Sequence, residues 1–252
     1  MRIGIVGLGR LGESLARGLT GGGGEVFGFT RTVERGRQIA ARVPGFTLLG
    51  SAGEVFDTCD PVFVWMKPSD AAELLAANHD VIAARQPLLV SCQRDAPLAD
   101  HTGRWAESLP NVNLATGQGV TLLAFPPSAA AEDRELLQAI LAPTGAVHVL
   151  PAEDLTYYSA LCSCGPGLYA RLMQLYADTL AARRGYDPEL CRALVRDTIS
   201  GTVALQELDR IGADEVVRRV AHPGGSTEKG LAVLERQFPA MAEEMLRAMK
   251  KW

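Results

Sequence analysis

The chain has 252 residues, 47% of them hydrophobic, and a net charge of −4. That is enough apolar material for one large domain or two smaller ones, and the absence of a basic tract excludes nucleic acid and an anionic membrane surface as expected partners. No stretch suggests a membrane span, and the N-terminus enters a strand instead of a signal peptide, so we expect a cytoplasmic protein. The five cysteines are odd in number and lack a paired CxxC pattern. We therefore expect reduced thiols and no metal site.

The first 20 residues predict a strand, a glycine-rich turn and a helix. Residues 2–6 form a short strand-like run that is apolar after Arg2, three glycines follow in the next six residues, and a helical pattern covers 13–19. A dinucleotide-binding βαβ unit needs this order, because Gly7 permits the turn, Gly9 lets the backbone approach a pyrophosphate, and Gly12 lets the helix pack closely on the strand. The alternative is a glycine-rich turn with no ligand. The predicted cofactor contacts are Gly7, Leu8, Gly9, Arg10, Leu11 and Gly12.

The residues after the second predicted strand, 25–29, indicate which dinucleotide would bind. An NAD enzyme usually carries Asp or Glu there for the ribose 2′-hydroxyl, whereas a 2′-phosphate favours hydroxyls and an arginine. The chain has Thr30-Arg31-Thr32, with Arg35 nearby. This set predicts NADPH (NADP⁺ in its oxidised form). The alternative is that both arginines are solvated charges on the next helix.

The rest of the first 151 residues continues the alternation of strands and helices that is typical of an α/β, doubly wound parallel sheet. Two strands end in residues that would meet a ligand at the carboxyl edge of the sheet. These are Met66, Lys67 and Pro68 after the run 61–66, and Ser91 and Cys92 after the run 87–92. A surface lysine after a strand is also common, so position alone leaves Lys67 open. The other predicted elements are helices at 33–43, 52–56 and 129–141, and strands at 46–49, 113–116, 118–123 and 145–150.

Beyond residue 151 the strand signals stop, and only helices are predicted. The helical segments are 154–162, 166–184, 188–210, 213–220 and 226–250. We therefore divide the chain into a Rossmann-type NADP-binding domain, 1–151, and an all-α domain, 152–252. Apolar residues lie on several faces of these helices, and such a domain has trouble covering itself alone. We expect a homodimer built through the helical half.

A series of motifs, in order along nearly the whole chain, resembles the pyrroline-5-carboxylate reductase family. After the GxGxxG turn come Met66-Lys67-Pro68, Pro110-Asn111, Gly117-Gln118-Gly119-Val120-Thr121, Cys164-Gly165-Pro166, Thr198 with Gly201, and His222-Pro223-Gly224-Gly225-Ser226-Thr227-Glu228-Lys229-Gly230-Leu231 with Leu234-Glu235. The resemblance implies hydride transfer from NADPH or NADH to the imine carbon of a cyclic imino acid, giving proline. It also implies a dimer, or a ring of dimers, joined through the helical half.

The last motif supplies the predicted substrate site. Reducing a C=N bond needs a hydride donor, a proton for the nitrogen, and a group that holds the substrate carboxylate. Gly224, Gly225, Ser226 and Thr227 open a helix whose unpaired N–H groups suit a carboxylate. The resemblance implies that Thr227 faces the substrate, and we expect its hydroxyl to hydrogen-bond the imine nitrogen or pass it a proton. The alternative is an ordinary helix start.

The departures from the family pattern surround the substrate rather than the cofactor. The family's Ser-Gly-Ser-Gly-Pro-Ala is Cys162-Ser163-Cys164-Gly165-Pro166-Gly167 here, so Cys164 replaces a hydroxyl near the substrate with a thiol. His222 stands where a small polar residue is usual, and it either reads a ring substituent or caps a helix. Three hypotheses stay open: a reductase of pyrroline-5-carboxylate or a related cyclic imine, a reductase for a different C=N or C=O substrate, and a non-catalytic or regulatory NADP-binding dimer.

Overall fold

The structure, a computed structural model, describes residues 1–92 and 97–251. The strands in these ranges are β1 (Arg2–Val6), β2 (Glu25–Phe29), β3 (Phe46–Leu48), β4 (Val62–Val64), β5 (Leu89–Ser91), β6 (Trp105–Pro110), β7 (Gly119–Ala124) and β8 (Gly145–Val149). The helices are α1 (Arg10–Gly21), α2 (Val33–Arg42), α3 (Ala52–Thr58), α4 (Pro68–Ala77), α5 (His79–Arg85), α6 (Ala131–Leu141), α7 (Ala152–Cys162), α8 (Gly165–Arg184), α9 (Pro188–Asp209), α10 (Ala213–Val220) and α11 (Ser226–Ala248).

The strands form one mostly parallel sheet in the order β3-β2-β1-β4-β5-β6-β7-β8. Among the strands of the described ranges, β6 and β7 alone pair antiparallel. The chain builds outward from β1 in one direction and then returns to add β4 on its other side. Ligands of open α/β sheets bind in the crevice beside such a reversal, at the carboxyl ends of the strands. The predicted Rossmann-type fold is therefore confirmed.

Both faces of the sheet are covered by helices. Ile5 and Leu15 belong to one fully buried cluster, and Val6 and Phe56 belong to another. Neighbouring residues of β1 thus pack into different clusters, as the period of two in a strand requires. Each such side chain contributes about 1.5–3 kcal/mol to folding by leaving water. This packing fixes the turn after β1 at the edge of the sheet.

The sequence prediction was wrong at 113–116 and missed three elements. Residues Val112–Thr116 form a 3-10 helix instead of a strand. The Asn111 side chain accepts hydrogen bonds from the N–H groups of Asn113 and Val120, at 3.1 and 3.2 Å, and so turns the chain there. Strand β6 escaped prediction because its polar residues Glu107 and Ser108 are adjacent, so its sequence lacks the apolar/polar alternation of a half-buried strand, and α4 and α5 were not predicted either. A doubly wound sheet still results, because β6 occupies the predicted strand's place beside β7.

The chain divides into two compact units, Met1–Pro166 and Gly167–Trp252. Helix α7 belongs to the first, since Leu155 and Cys162 pack with Leu122 and Ala124 of the sheet. The domain boundary at 151, placed from sequence, stays a prediction. In the described ranges, no helix is both long and apolar enough to cross a bilayer.

Candidate functional site

The glycine turn after β1 is held by its backbone. Gly7 has φ +100°, and an added Cβ would lie 2.3 Å from the Trp65 carbonyl oxygen. An added Cβ on Gly12 would lie 2.3 Å from the Gly7 carbonyl oxygen. The Gly7 N–H donates to the Phe29 carbonyl at 3.1 Å, which ties the turn to the end of β2. Both glycines are therefore required by the protein itself, ligand or no ligand.

Gly9 differs from Gly7 and Gly12, because no contact within the described chain requires a glycine at this position. A Cβ there would meet no protein atom within 4 Å, and its backbone is extended, with φ −72° and ψ −164°. Gly9 is also the N-cap of α1, and no side chain caps that helix. The first N–H groups of α1 are therefore left to another acceptor, and a helix N-terminus favours an anion. An open backbone beside uncapped donors fits a pyrophosphate.

A cleft of about 340 Å³ opens over this turn. It brings together nine of the fifteen predicted cofactor residues: Gly7, Leu8, Gly9, Thr30, Arg31, Thr32, Arg35, Met66 and Lys67. Sequence reasoning missed five further lining residues: Val6, Phe29, Trp65, Asp70 and Leu74. The indole N–H of Trp65 is buried and has no hydrogen-bond partner among the residues that the structure describes. A buried orphan donor in a cleft wall is a second feature that the protein alone does not satisfy.

The two arginines of the cleft have different partners. Arg35 donates from Nε to the Leu8 carbonyl at 2.6 Å and from Nη2 to Glu13 at 3.3 Å, so it braces the glycine turn. Arg31 instead donates from Nη2 to the Asp70 carboxylate at 2.9 Å, and 65% of its side chain is exposed. Of these two arginines, Arg31 is thus the one that faces solvent in the cleft, where the Thr30 and Thr32 residues also lie.

Six predicted cofactor residues do not line the cleft. Ser91 and Cys92 are 1% and 8% exposed, and burial raises the pKa of the Cys92 thiol to about 12. These two side chains belong to the packed interior, so our expectation that they face the crevice is not met in the structure. The others are Arg10, Leu11 and Gly12 in the first turn of α1 and Pro68 in the first turn of α4. Their cofactor contacts stay predictions.

The predicted substrate segment is the start of α11, and two of its four backbone N–H groups already donate hydrogen bonds within the protein. The Gly225 N–H donates to the His222 carbonyl at 2.9 Å, and the Gly224 N–H donates to the Glu228 carboxylate at 2.7 Å. Gly225 is the N-cap and has no side chain to occupy the next donors. Within the predicted segment, the N–H groups left for a carboxylate are therefore those of Ser226 and Thr227.

Ser226 and Thr227 line the mouth of an apolar groove of about 970 Å³ within the second unit. The other lining side chains come from α8, α9 and α11 and include Leu172, Tyr176 and Phe238. Among the described residues of this unit, the buried hydrophobic core is only Ala177, Ala181 and Cys191. The large apolar side chains of this unit are exposed instead of forming a core. Exposed apolar patches of this kind are typical of protein–protein interfaces.

Cys164 lies in the turn between α7 and α8, in the first unit. Its N–H donates to the Ser159 carbonyl at 3.0 Å, and its side chain is partly exposed. The turn is tied to the sheet by Asn111, whose side-chain amide donates to the Cys162 carbonyl at 3.2 Å. Ser163 adds a bond from its hydroxyl to the Pro110 carbonyl at 3.2 Å. The Pro-Asn motif therefore positions the Cys-Gly-Pro motif, a link that spacing alone did not reveal.

Comparison with known proteins matches two parts of the chain to family models. Residues 2–95 match the family model "NADP oxidoreductase coenzyme F420-dependent", and residues 152–251 match "Pyrroline-5-carboxylate reductase dimerisation". The pyrroline-5-carboxylate reductase of Aquifex aeolicus is 25% identical over 240 residues, covering 94% of this chain and 90% of that protein. Two solved structures share the fold. One is a pyrroline-5-carboxylate reductase from Coxiella burnetii, with TM-score 0.85, 19% identity, and coverage of 98% of this chain and 94% of the other. The second is Plasmodium falciparum pyrroline carboxylate reductase with NADP bound, with TM-score 0.81, 21% identity, and coverage of 99% and 96%.

These relationships extend over almost the whole chain and include both compact units. The relatives are of nearly the same length as this chain, so the match is not confined to a shared nucleotide-binding half. The resemblance that the motifs indicated is confirmed: residues 152–251 match the pyrroline-5-carboxylate reductase dimerisation model, and the chain as a whole is similar to pyrroline-5-carboxylate reductases.

Proposed function

We propose that the chain is an NADPH-dependent reductase of a cyclic imino acid, converting pyrroline-5-carboxylate to proline or acting on a closely related imine. The observation that carries the proposal is the pairing, in one chain, of an open glycine cleft with a helical half of the pyrroline-5-carboxylate reductase dimerisation family. A nucleotide-binding cleft alone would fit many dehydrogenases. The match of the helical half to the pyrroline-5-carboxylate reductase dimerisation model favours a cyclic imino acid reductase among them.

The cleft has the chemistry that NADPH requires. Gly9 leaves space for the pyrophosphate at the uncapped start of α1, and Arg31 with the Thr30 and Thr32 hydroxyls suits a 2′-phosphate. Lys67 lies in the same cleft and adds a second solvent-facing cation. When bound, NADPH supplies a hydride to the carbon of the C=N bond. The protein's part is to hold the dinucleotide at the sheet edge with its negative charges neutralised.

The start of α11 supplies the groups that a cyclic imino acid needs. The N–H groups of Ser226 and Thr227 donate to no oxygen within the described ranges and can donate to the substrate carboxylate. The Thr227 hydroxyl then hydrogen-bonds the imine nitrogen, which gains one proton as the neighbouring carbon gains the hydride. The Glu228 carboxylate is kept on the Gly224 N–H, so it stays bound within the turn. In the proposal, Gly224 and Gly225 shape this site and carry no proton, and the role of Cys164 near the substrate stays a prediction from the resemblance.

We also infer that the protein is a homodimer through its second unit. The exposed apolar side chains of that unit include Leu180, Leu190 and Leu194, each more than half exposed. A helical unit whose buried apolar core is so small needs a partner surface. The dimerisation family of residues 152–251 supports a second copy of the chain as that partner. A higher ring of dimers and a cytoplasmic location stay proposals, and the five unpaired cysteines agree with a reducing compartment.

The proposal is tested by NADPH oxidation with pyrroline-5-carboxylate and with a panel of related cyclic imines. Turnover by the wild-type protein supports it, and replacement of Thr227 by Ala should lower kcat by about a hundredfold, the size of a lost proton-transfer or hydrogen-bond contact. NADPH affinity should change little in that variant. Thr179→Ala is the matched control, because Thr179 is exposed on α8 with its hydroxyl bonded to the Leu175 carbonyl.

NADPH binding by the wild-type protein without oxidation of any imine in the panel would favour the non-catalytic dimer instead. Turnover that is unchanged in Thr227→Ala would leave the reductase assignment intact and remove Thr227 from its role. The two results are separable, because one concerns the wild-type protein and the other concerns the variant.

A further inference from the structure

A carboxylate lies in the part of the cleft where the sequence predicts a 2′-phosphate. Asp70, in the first turn of α4, accepts a hydrogen bond from Nη2 of Arg31 at 2.9 Å, and both residues line the cleft. Arg35 cannot substitute for Arg31, because its guanidinium is engaged with the Leu8 carbonyl and with Glu13. Arg31 is therefore shared between Asp70 and whatever anion enters.

The Arg31–Asp70 pair is weak enough to be opened by such an anion. The Arg31 side chain is 65% exposed and that of Asp70 is 35% exposed, so water screens the pair. A 2′-phosphate carries more charge than a carboxylate and can take the guanidinium in a bidentate bond. The displaced Asp70 carboxylate then stays close to the phosphate, and like charges at short range oppose binding.

We propose that Asp70 is a specificity-determining residue: by competing for Arg31 and repelling the 2′-phosphate, it limits the preference of the cleft for NADPH over NADH. This inference rests on the proposed dinucleotide site and sharpens it. A dinucleotide without the 2′-phosphate leaves the Arg31–Asp70 pair closed and meets no repulsion. The acid that influences the 2′ position comes from α4 rather than from the end of β2, where such an acid is usually sought.

The test measures binding of adenosine 2′,5′-bisphosphate and of adenosine 5′-monophosphate by titration calorimetry, since these probes differ only in the 2′-phosphate. Asp70→Asn should tighten binding of the bisphosphate by roughly three- to tenfold, the range of a lost weak ion pair and a lost repulsion. Binding of the monophosphate should stay within about twofold. Asp70→Ser, which removes the charge differently, should act in the same direction and guards against a folding defect in one variant.

Asp57→Asn is the matched control, because Asp57 pairs with Arg85 at 3.5 Å on the same unit but lies outside the cleft. It should leave both affinities unchanged. A double-mutant cycle with Arg31→Gln then separates competition from repulsion. If Asp70 acts through Arg31, the gain from Asp70→Asn should shrink in the Arg31→Gln background.

A ratio of the two affinities that is unchanged or lowered in Asp70→Asn would overturn the inference while leaving the dinucleotide site in place. Absence of binding of both probes by the wild-type protein would instead refute the site itself, and this inference with it. Reductase activity does not enter either measurement, so a failed substrate assignment cannot be mistaken for a failure of Asp70.

Discussion

One added methyl group at Gly9 should weaken dinucleotide binding while leaving the free energy of unfolding almost unchanged. Gly9→Ala places a Cβ where no protein atom lies within 4 Å, on a backbone that alanine adopts without strain. The poorer N-cap costs about 1 kcal/mol or less, and the stiffer unfolded chain returns about 0.4–1 kcal/mol, so the free energy of unfolding should barely change. The methyl group would instead occupy the place where the pyrophosphate approaches.

The cost to binding can be estimated from the contacts at the start of α1. Losing one charge-assisted hydrogen bond between a helix-start N–H and the pyrophosphate costs about 1.5–3 kcal/mol. That weakens NADPH binding by about 10- to 150-fold. Trp65 lines the cleft, so quenching of tryptophan fluorescence is a direct measure of this affinity. Chemical denaturation of the same samples gives the free energy of unfolding.

Two other glycines make the comparison decisive. Gly12→Ala should lower the free energy of unfolding by about 1–3 kcal/mol or more, because its Cβ would lie 2.3 Å from the Gly7 carbonyl oxygen. Gly21→Ala, at the other end of α1, meets no atom within 4 Å and should leave NADPH binding unchanged. An affinity of Gly9→Ala within twofold of the wild-type value would refute the placing of the pyrophosphate at this turn.

Three further outcomes are expected. Light scattering at micromolar concentration should give twice the mass of one chain, and a stable monomer would contradict the role of the exposed helical faces. Asp133 is 7% exposed and accepts hydrogen bonds of 2.7 and 3.1 Å from the Arg104 guanidinium, so Asp133→Asn should lower the free energy of unfolding by about 1–2 kcal/mol in chemical denaturation. The control Asp57→Asn, at an exposed ion pair, should lower it by under about 0.5 kcal/mol. Equal losses in the two variants would contradict this prediction. Because burial raises the pKa of Cys92 to about 12, its thiol should stay protonated and resist alkylation up to about pH 9 in the folded protein. The partly exposed Cys164 should be alkylated first. Mass spectrometry that finds Cys92 labelled before Cys164 would overturn this prediction.

The repeating parts of the fold were the easiest to predict. The strands at 2–6 and 25–29 and the helix at 213–220 agree with the structure residue for residue, because each is a local pattern of apolar spacing between clear turn signals. The 3-10 helix at Val112–Thr116 was not predictable in this way. Its conformation depends on hydrogen bonds from the Val120 N–H to Asn111, which only the folded sheet brings together. Strand β6 is likewise specified by its two neighbours more than by its own residues.

The predicted cofactor residues show the same difference between local sequence patterns and contacts that form only on folding. Residues of the GxGxxG turn and of Thr30-Arg31-Thr32 were found because each motif is contiguous and its chemistry is carried by residue type. Asp70 and Trp65 were missed, since nothing in their local sequence marks them as neighbours of Arg31 or of the turn. Ser91 and Cys92 were placed correctly at a strand end but assigned the wrong surroundings, because a strand end does not reveal which side chains become buried.

The sequence by itself determined the order of the elements, the glycine turn and the motif series that links the chain to its relatives, because these depend on residue type and spacing along the chain. Only the tertiary structure decided which polar atoms are already satisfied. It assigned Arg35 to the Leu8 carbonyl, Arg31 to Asp70 and the Gly224 N–H to Glu228, while leaving Gly9 open. Hydrogen bonds and ion pairs act over a few ångströms in space, and partners such as Arg31 and Asp70, which are 39 residues apart along the chain, meet only after folding.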